Sequence, residues 1–417
     1  MPTVLLVLPT GTYRAEEYLE AARRLGLEVV TGSERAQALS GTMAEHFVEL
    51  PLDDPEATAE AIVGHAARIP LDAVVAVDDT GAVGAALAAE RLGLRHNRAE
   101  AVRSTRDKAA MRAAFARRGL PQPRFALARS DDDVVEAAGT IGYPVVVKPT
   151  TLAASRGVIR ADDARQVLAA ARRIRPILEE AGEPPDAALL VETFVAGGEV
   201  AVEGVLRDGR LDVIAVFDKP DPLDGPFFEE TLYVAPSRLS PGTLEAVRDA
   251  TAEAVDAIGL RHGPVHAELR ITGGDPAVSL LEVAARTIGG RCSKALALRG
   301  GSLEELVLAT WAGIPGPEPR LERAAGVLMV PIPRSGRLVE VHGTEAARAV
   351  PGITGVEIAV ARGRQVRTLP EGDRYLGFVF ASGETPEDIE AALRQAQGLL
   401  DVEVEVEAAM ATADTVT

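Results

Sequence analysis

The sequence predicts a mixed α/β protein, α+β overall, and three observations carry that expectation. Strand-like and helix-like segments alternate through the first hundred residues, the rhythm of a parallel, doubly wound sheet. Further along, candidate strands are joined by short turns, at Arg207-Asp208-Gly209-Arg210 and at Gly273-Gly274-Asp275-Pro276. At 417 residues the chain also exceeds one ordinary core and calls for two or three domains.

Strands are expected at Val4–Leu8, Glu28–Val30, Phe47–Leu50 and Ala73–Val77, with helices over about Ala15–Leu25 and Glu56–Ala67. The first loop, Pro9-Thr10-Gly11-Thr12, lacks the Gly-x-Gly-x-x-Gly fingerprint, which disfavours a dinucleotide-binding oxidoreductase. Asp78-Asp79-Thr80-Gly81 follows a strand at the end where ligands of such sheets lie, and reads equally as an Asp-capped helix start. A helix over Ser104–Arg118 ends at Gly119-Leu120-Pro121-Gln122-Pro123, a boundary. Next come a strand at Phe125–Ala128, a helix over Asp131–Ala138, and the strand Tyr143–Val147 leading to Lys148-Pro149. Leu189–Glu192 and a second strand into Leu206 follow, then His266–Arg270 and Leu280–Arg286. Beyond Gly313–Pro319 the pattern is strand-rich up to a helix at Thr385–Leu400 and a strand at Val402–Val406, with about ten unstructured residues last.

Composition narrows the function. Hydrophobic residues make up 47%, as in a globular protein, and 44 Lys and Arg against 62 Asp and Glu give a net charge of −18, which argues against nucleic-acid binding by counterion release. The single cysteine, Cys292, excludes an internal disulfide framework and fits a cytoplasmic, reducing location. The N-terminal apolar run has no preceding basic region, and no stretch approaches the roughly 20 apolar residues of a membrane span.

In the strand pair near residue 270, a side-chain period of two places His266, Glu268 and Arg270 on one face, and Glu282 and Arg286 on the matching face of the neighbour. Ala267, Leu269 and Ile271, with Leu281, Val283 and Ala285, form the core side. Two carboxylates beside Arg and His need partners, and magnesium with a nucleotide phosphate would supply them. Lys148 stands at the end of an apolar strand beside a small-residue loop, Thr150–Val158, whose amides suit phosphate oxygens; a lysine extending to solvent is the alternative. Glu192, the Phe194–Val195 backbone and Glu199 could serve a purine and a ribose, and a solvated hairpin explains the same residues without a ligand.

Taken in order, Asp107-Lys108, GYPVVVKP, the Ser-Arg-Gly-Val loop, VETFVAGGEVAVEG, HAELR and LLEVAARTIGG resemble the ATP-grasp superfamily over nearly the whole chain. Within it, FDKPDPLDGPFFEETLYVAPSRLS and the stretch from Gly326 through Gly377-Phe378-Val379-Phe380 resemble L-amino-acid ligases of the carboxylate–amine type. The resemblance implies an ATP-grasp fold: an N-terminal doubly wound domain (1–103), an ATP-grasp domain (104–315) of large antiparallel sheet with a lid subdomain at about 120–190, and a C-terminal strand-rich domain (316–417). It implies that Lys108 and Lys148 bind ATP phosphates while Ser155, Arg156, Gly157 and Val158 close over the γ end. Glu192 with the Phe194 and Val195 backbone would hold adenine, and Glu199 the ribose. Glu268 and Glu282 match carboxylates for Mg²⁺, with Mn²⁺ as a substitute; Arg286 matches a residue that steadies the acyl phosphate, and Gly289 and Gly290 leave room beside it.

Many superfamily members carry Asn two residues after the second magnesium glutamate, where this chain has Ala284; its loss could weaken one metal, leave that position to water or mark a degenerate site, and the presence of both glutamates, Arg286 and both lysines favours water in a working enzyme. His266 could orient substrate or accept a proton from the amine, or be structural. Glu229 and Glu230 could receive a substrate amino group, and Lys219 and Arg238 could reach ATP or a carboxylate. The expectation is an ATP-dependent ligase joining small-molecule carboxylate and amine substrates, with no nucleic-acid or membrane partner and a homodimer as the default assembly. The alternatives are a bicarbonate-activating carboxylase or purine-biosynthesis ligase of the same superfamily, and a catalytically degenerate nucleotide-binding regulator.

Overall fold

The computed structural model describes residues 1–35, 46–184, 186–274 and 277–406, so Asp275-Pro276 of the expected turn and the expected unstructured tail lie outside the described residues. Four parallel strands, β1 (Thr3–Val7), β2 (Glu28–Ser33), β3 (Phe47–Glu49) and β4 (Ala73–Ala76), form the first sheet in the order β3-β2-β1-β4. Every residue of β1 is buried, as a strand covered on both faces requires. Val4 and Leu6 pack on the side of α1 (Ala15–Arg24), and Leu5 and Val7 on the side of α2 (Pro55–Ala66) and α3 (Ala82–Leu92). Strand order reverses between β1 and β4, which opens a crevice between the loops that follow them.

The helix expected over Ser104–Arg118 is two helices, α4 (Ala99–Arg106) and α5 (Lys108–Arg118). Asp107 separates them: its backbone is extended and its Oδ1 accepts from the amides of Ala109 and Ala110. A side-chain cap takes over amides that a continuous helix would bond internally.

The segment from about 120 to 193 is an antiparallel sheet, β5-β8-β6-β7, covered by two helices. In chain order these are β5 (Phe125–Ala128), α6 (Asp131–Ile141), β6 (Val145–Pro149), β7 (Ile159–Ala161), α7 (Ala164–Glu180) and β8 (Leu189–Thr193). Ser130 and Asp133 form a reciprocal capping box that starts α6.

The largest sheet has eight strands. Its first half comprises β9 (Gly198–Arg207), β10 (Arg210–Lys219) and β11 (Leu232–Ala235), then α8 (Pro241–Ile258), β12 (Gly263–Ile271) and β13 (Val278–Ala284). Beyond α9 (Cys292–Ala295), β14 (Leu298–Arg299), α10 (Leu303–Ala312) and β15 (Arg320–Leu321), the sheet continues through β16 (Ala324–Val330). After β17 (Gly336–His342) and α11 (Thr344–Arg348) come β18 (Ile353–Ile358), β19 (Gln365–Val366), β20 (Gly377–Gly383), α12 (Pro386–Leu399) and β21 (Asp401–Glu405). The strand order β13-β12-β9-β10-β11-β16-β20-β18 makes the C-terminal strands a continuation of the central sheet, while β19-β17-β21 stand as a separate small sheet. Helices α5 and α8 bury one face of β9, β12 and β13 through Met111, Phe115, Val247, Val255, Leu269 and Leu280. Each such fully buried side chain stabilises the fold by roughly 2 kcal/mol.

One residue departs from the expected alternation. Glu268 pairs with Glu282 but Leu269 pairs with Leu280, so a bulge at Leu281 places Leu280, not Leu281, in the core. The extra residue shifts the strand's faces by one position, and the freed Leu281 carbonyl accepts from Arg112 Nη2 at 2.7 Å.

Candidate active site

The face of β13-β12-β9-β10 opposite α5 and α8 collects the charged residues. Antiparallel register sets Glu268 beside Glu282, Arg270 beside Glu199, His266 beside Glu203, and Lys219 beside Glu199. Lys219 reaches the face because of a second bulge: the pairing shifts by one residue between Val213 and Ala215. Without that shift the hairpin register would set Lys219 opposite Gly198 and turn its side chain to the helix-covered side.

Lys219 is a hub. Its Nζ donates to Glu199 Oε1 and Glu230 Oε1, each at 2.6 Å, and to Glu268 Oε1 at 3.0 Å. Burial alone would lower the ammonium's pKa, but the three carboxylates hold it well above the ordinary value. Burial opposes the charge on Glu268, yet Lys219 and His266 keep it well below the carboxylate range; for Glu199 burial prevails and its pKa is raised. Arg270 Nε lies 2.9 Å from Glu199 Oε2, and Tyr375 donates its hydroxyl to Glu230 Oε2 at 3.0 Å.

His266 is buried, with Nε2 at 3.2 Å from Glu268 Oε1 and Nδ1 at 3.4 Å from the Val202 carbonyl. Both ring nitrogens therefore face acceptors, which suits orienting Glu268. Glu282 Oε2 lies 3.5 Å from Lys108 Nζ, whose own donation goes to the Leu152 carbonyl at 2.7 Å. Ala284 pairs with His266 and is buried. The ligand atoms of Glu199, Glu230 and Glu268 lie within 4.8 Å of one another. Lys219 Nζ already lies among these three carboxylates, so the fit to a magnesium ion rests on Glu268 with Glu282 across the strand pair, hard oxygen donors suited to an ion bound by one or two carboxylates and phosphate oxygens.

Around the second half of the candidate pocket, Glu192 is fully enclosed: Arg112 Nε donates to Oε1 and Lys148 Nζ lies 2.6 Å from Oε2. Burial pushes Glu192 up, but the two cations outweigh it and hold it at about 2; burial and neighbouring Arg112 and Lys108 lower Lys148. Phe194 and Val195 are half-buried; the Phe194 amide donates to Pro144 O, and Arg160 stacks over its ring at 4.4 Å. In the loop 155–158, Ser155 and Gly157 adopt positive φ and the Gly157 amide donates to Pro370 O at 2.9 Å. Arg156 pairs with Glu180 at 3.3 Å, Arg367 grips the same carboxylate with two bonds of 2.7 Å, and Arg173 pairs with Glu371 at 2.7 Å. The segment from about 120 to 193 thus rests on the 367–371 segment of the C-terminal region.

Arg286, just past β13, donates through Nε to Asp79 Oδ2 at 2.8 Å. Lys219 bonds Glu230 rather than Glu229, whose pKa is raised by burial against a hydrogen bond to the Ile332 backbone. Gly289 has open space toward the Tyr13 hydroxyl, whereas Gly290, at φ 60°, could not bear a Cβ without striking the Met329 thioether. Arg238 is directed elsewhere, to Asp218 and Glu390. Cys292 is buried, and burial pushes its thiol well up, consistent with an inert side chain. The hub role of Lys219 and the partner Arg112 were not evident in the sequence, which offered Lys219 only as a group that could reach ATP or a carboxylate; Arg270 was placed on the charged face and Asp79 at the ligand end of its strand, but without their partners Glu199 and Arg286.

Among the described residues no helix is long and apolar enough to cross a membrane. Family comparison matches residues 19–96 to an ATP-grasp N-terminal domain, 141–295 to an ATP-grasp domain, and 328–405 to L-amino acid ligase C-terminal domain 2. An alanine–anticapsin ligase of Bacillus subtilis is 30% identical over 254 residues, covering 57% of this chain and 53% of that protein. The chain therefore spans about half the length of the curated relatives it matches first. The crystal structure of an L-amino acid ligase from Bacillus licheniformis superposes with a TM-score of 0.79 at 26% identity, over 97% of this chain and 99% of that one. N5-carboxyaminoimidazole ribonucleotide synthetase of Thermotoga maritima shares the fold, with a TM-score of 0.71 at 17% identity over 97% of this chain and 100% of that one. With one charged sheet face and these likenesses in chain order, the chain carries an ATP-grasp domain and is built like L-amino acid ligases.

Proposed function

We propose that the protein is an ATP-dependent carboxylate–amine ligase that joins an amino acid to a second amine through an acyl phosphate. The observation that carries this reading is the convergence on one sheet face of Glu268, Glu282 and Lys219, with Lys108 and Lys148 on the lid side and Arg286 beyond the strand end. Magnesium-bound ATP supplies the phosphoryl group when present. Lys108, Lys148 and Lys219 offset phosphate charge, and the lid loop 155–158 excludes water. A carboxylate oxygen of the first substrate attacks the γ-phosphorus, and ADP departs with the bridging oxygen. The amine nitrogen then attacks the acyl carbon beside Arg286, loses a proton, and phosphate leaves as the amide forms. Positioning provides most of the acceleration, because neither step needs a protein nucleophile.

The similarity to L-amino acid ligases over the full length of a solved chain supports amino acids as substrates. An ADP-release screen of amino acid pairs, with product masses, tests the proposal. Amino-acid-dependent ADP release without bicarbonate is expected, together with a product lighter by one water than the two substrates. Full activity in Glu282→Ala would remove the metal assignment, and ADP release that requires bicarbonate would favour the carboxylase alternative.

A further inference from the structure

We propose that Asp79 is the positioning residue for Arg286, so that the N-terminal domain supplies part of the acyl-transfer machinery; the inference rests on the ligase reading above. Asp79 lies 207 positions from Arg286 in the chain, in the loop after β4. In doubly wound sheets a ligand usually enters the crevice where strand order reverses. Here the protein's own residues 286–288 fill it. From the loop after β1, Arg14 donates to the carbonyls of Thr287 and Ile288 at 3.1 and 2.6 Å and lies 3.3 Å from Asp78. From the loop after β4, Asp79 Oδ2 accepts from Arg286 Nε at 2.8 Å.

The Asp79 carboxylate is not spent on capping α3, which has no side-chain cap. Arg106, at the end of α4, braces it from a second direction at 3.0 Å. Arg286 also donates through Nη1 to the Thr287 carbonyl at 3.0 Å. Two bonds, one to Asp79 and one to the Thr287 carbonyl, fix the plane of the guanidinium, and the nearby Glu282 carboxylate adds to the charge that keeps it protonated. A guanidinium that must meet charge developing on an acyl oxygen loses its effect when misplaced by about 1 Å, a fault worth about 10²-fold in rate. Asp79→Asn keeps the shape but removes the charge that holds Nε.

The test measures kcat, ATP dissociation constant and urea stability for Asp79→Asn, Arg286→Lys and the double variant of the full chain. A fall in kcat of about 10²-fold with ATP affinity within about threefold is expected, and Asp79→Asn should add little to Arg286→Lys because both act on one group. Unchanged kcat, a parallel loss of ATP affinity, or effects that multiply would each overturn the inference. Should Asp79→Asn fold poorly, Arg106→Gln replaces it: a smaller kcat loss with the same unchanged ATP affinity supports the brace, and unchanged kcat refutes it. If the wild-type protein turns over no carboxylate–amine pair, the ligase reading fails on its own; the urea stabilities then decide the Asp79–Arg286 contact, since additive losses refute it and non-additive losses support it.

Discussion

Replacing Glu203 by Gln should make the protein more stable at alkaline pH, by an amount that grows with pH. Glu203 lies on β9 next to His266 and is completely buried; Oε2 accepts from the Ile288 amide at 2.7 Å while Oε1 has no hydrogen-bond partner. Burial pushes its pKa to about 8 from an ordinary 4.5, against the smaller pull of the Ile288 amide and Arg14. The folded protein therefore holds a proton there that the unfolded chain has released above pH 4.5. The stabilisation is fully present below 4.5 and is lost progressively as pH rises to about 8. At about 1.4 kcal/mol per unit, the interval amounts to roughly 5 kcal/mol, an upper figure. The amide of the replacement keeps the acceptor for Ile288 and cannot ionise. Urea unfolding followed by Trp311 reports on this region, because the sole tryptophan packs in the cluster that contains Val205 of the same strand. The stability difference, Glu203→Gln minus wild type, should be near zero or slightly negative at pH 5 and positive by a few kcal/mol at pH 9. A difference independent of pH would show that Glu203 is ionised in the folded protein and would refute the argument.

Two other outcomes follow from burial and charge. Cys292 should resist iodoacetamide at pH 8 in the folded protein and react once in urea, read by mass spectrometry; rapid labelling of the native chain would contradict its enclosure. Arg367→Ala removes both bonds to Glu180 from a half-exposed pair, so it should weaken ATP binding by about fivefold at low salt, matching about 1 kcal/mol, and by almost nothing near about 1 M salt. A loss that persists at high salt would mean that the lid is not held by this pair.

Local patterns made much of the fold readable. The first strand, read at Val4–Leu8, follows from its apolar run, and the helix at Asp131–Ala138 and the paired glutamates at 268 and 282 from residue spacing of 3.6 and 2. Residue spacing misplaced Leu281 because a bulge is a property of two strands together, and it left Lys219 uncertain for the same reason. The helix break at Asp107 was signalled by its side chain, since an Asp two and three residues before free amides is a cap, but the helical pattern on both sides masked it. Asp79 was readable as a residue at the ligand end of a strand; its partner, arriving from the far end of another domain, was not.

The tripeptide Arg106-Asp107-Lys108 sets a limit on how this chain can change in length. Arg106 reaches the N-terminal loop at Asp79, Asp107 starts the next helix, and Lys108 reaches Glu282 while its amide donates to Thr150 in the lid. Three separate bodies are thus gauged from three consecutive residues. One residue inserted on either side would rotate the following helix by about 100° and turn at least one of these side chains away from its target. Loops nearby can lengthen at little cost, but this joint has a fixed number of residues, and related chains that keep the site should keep that count.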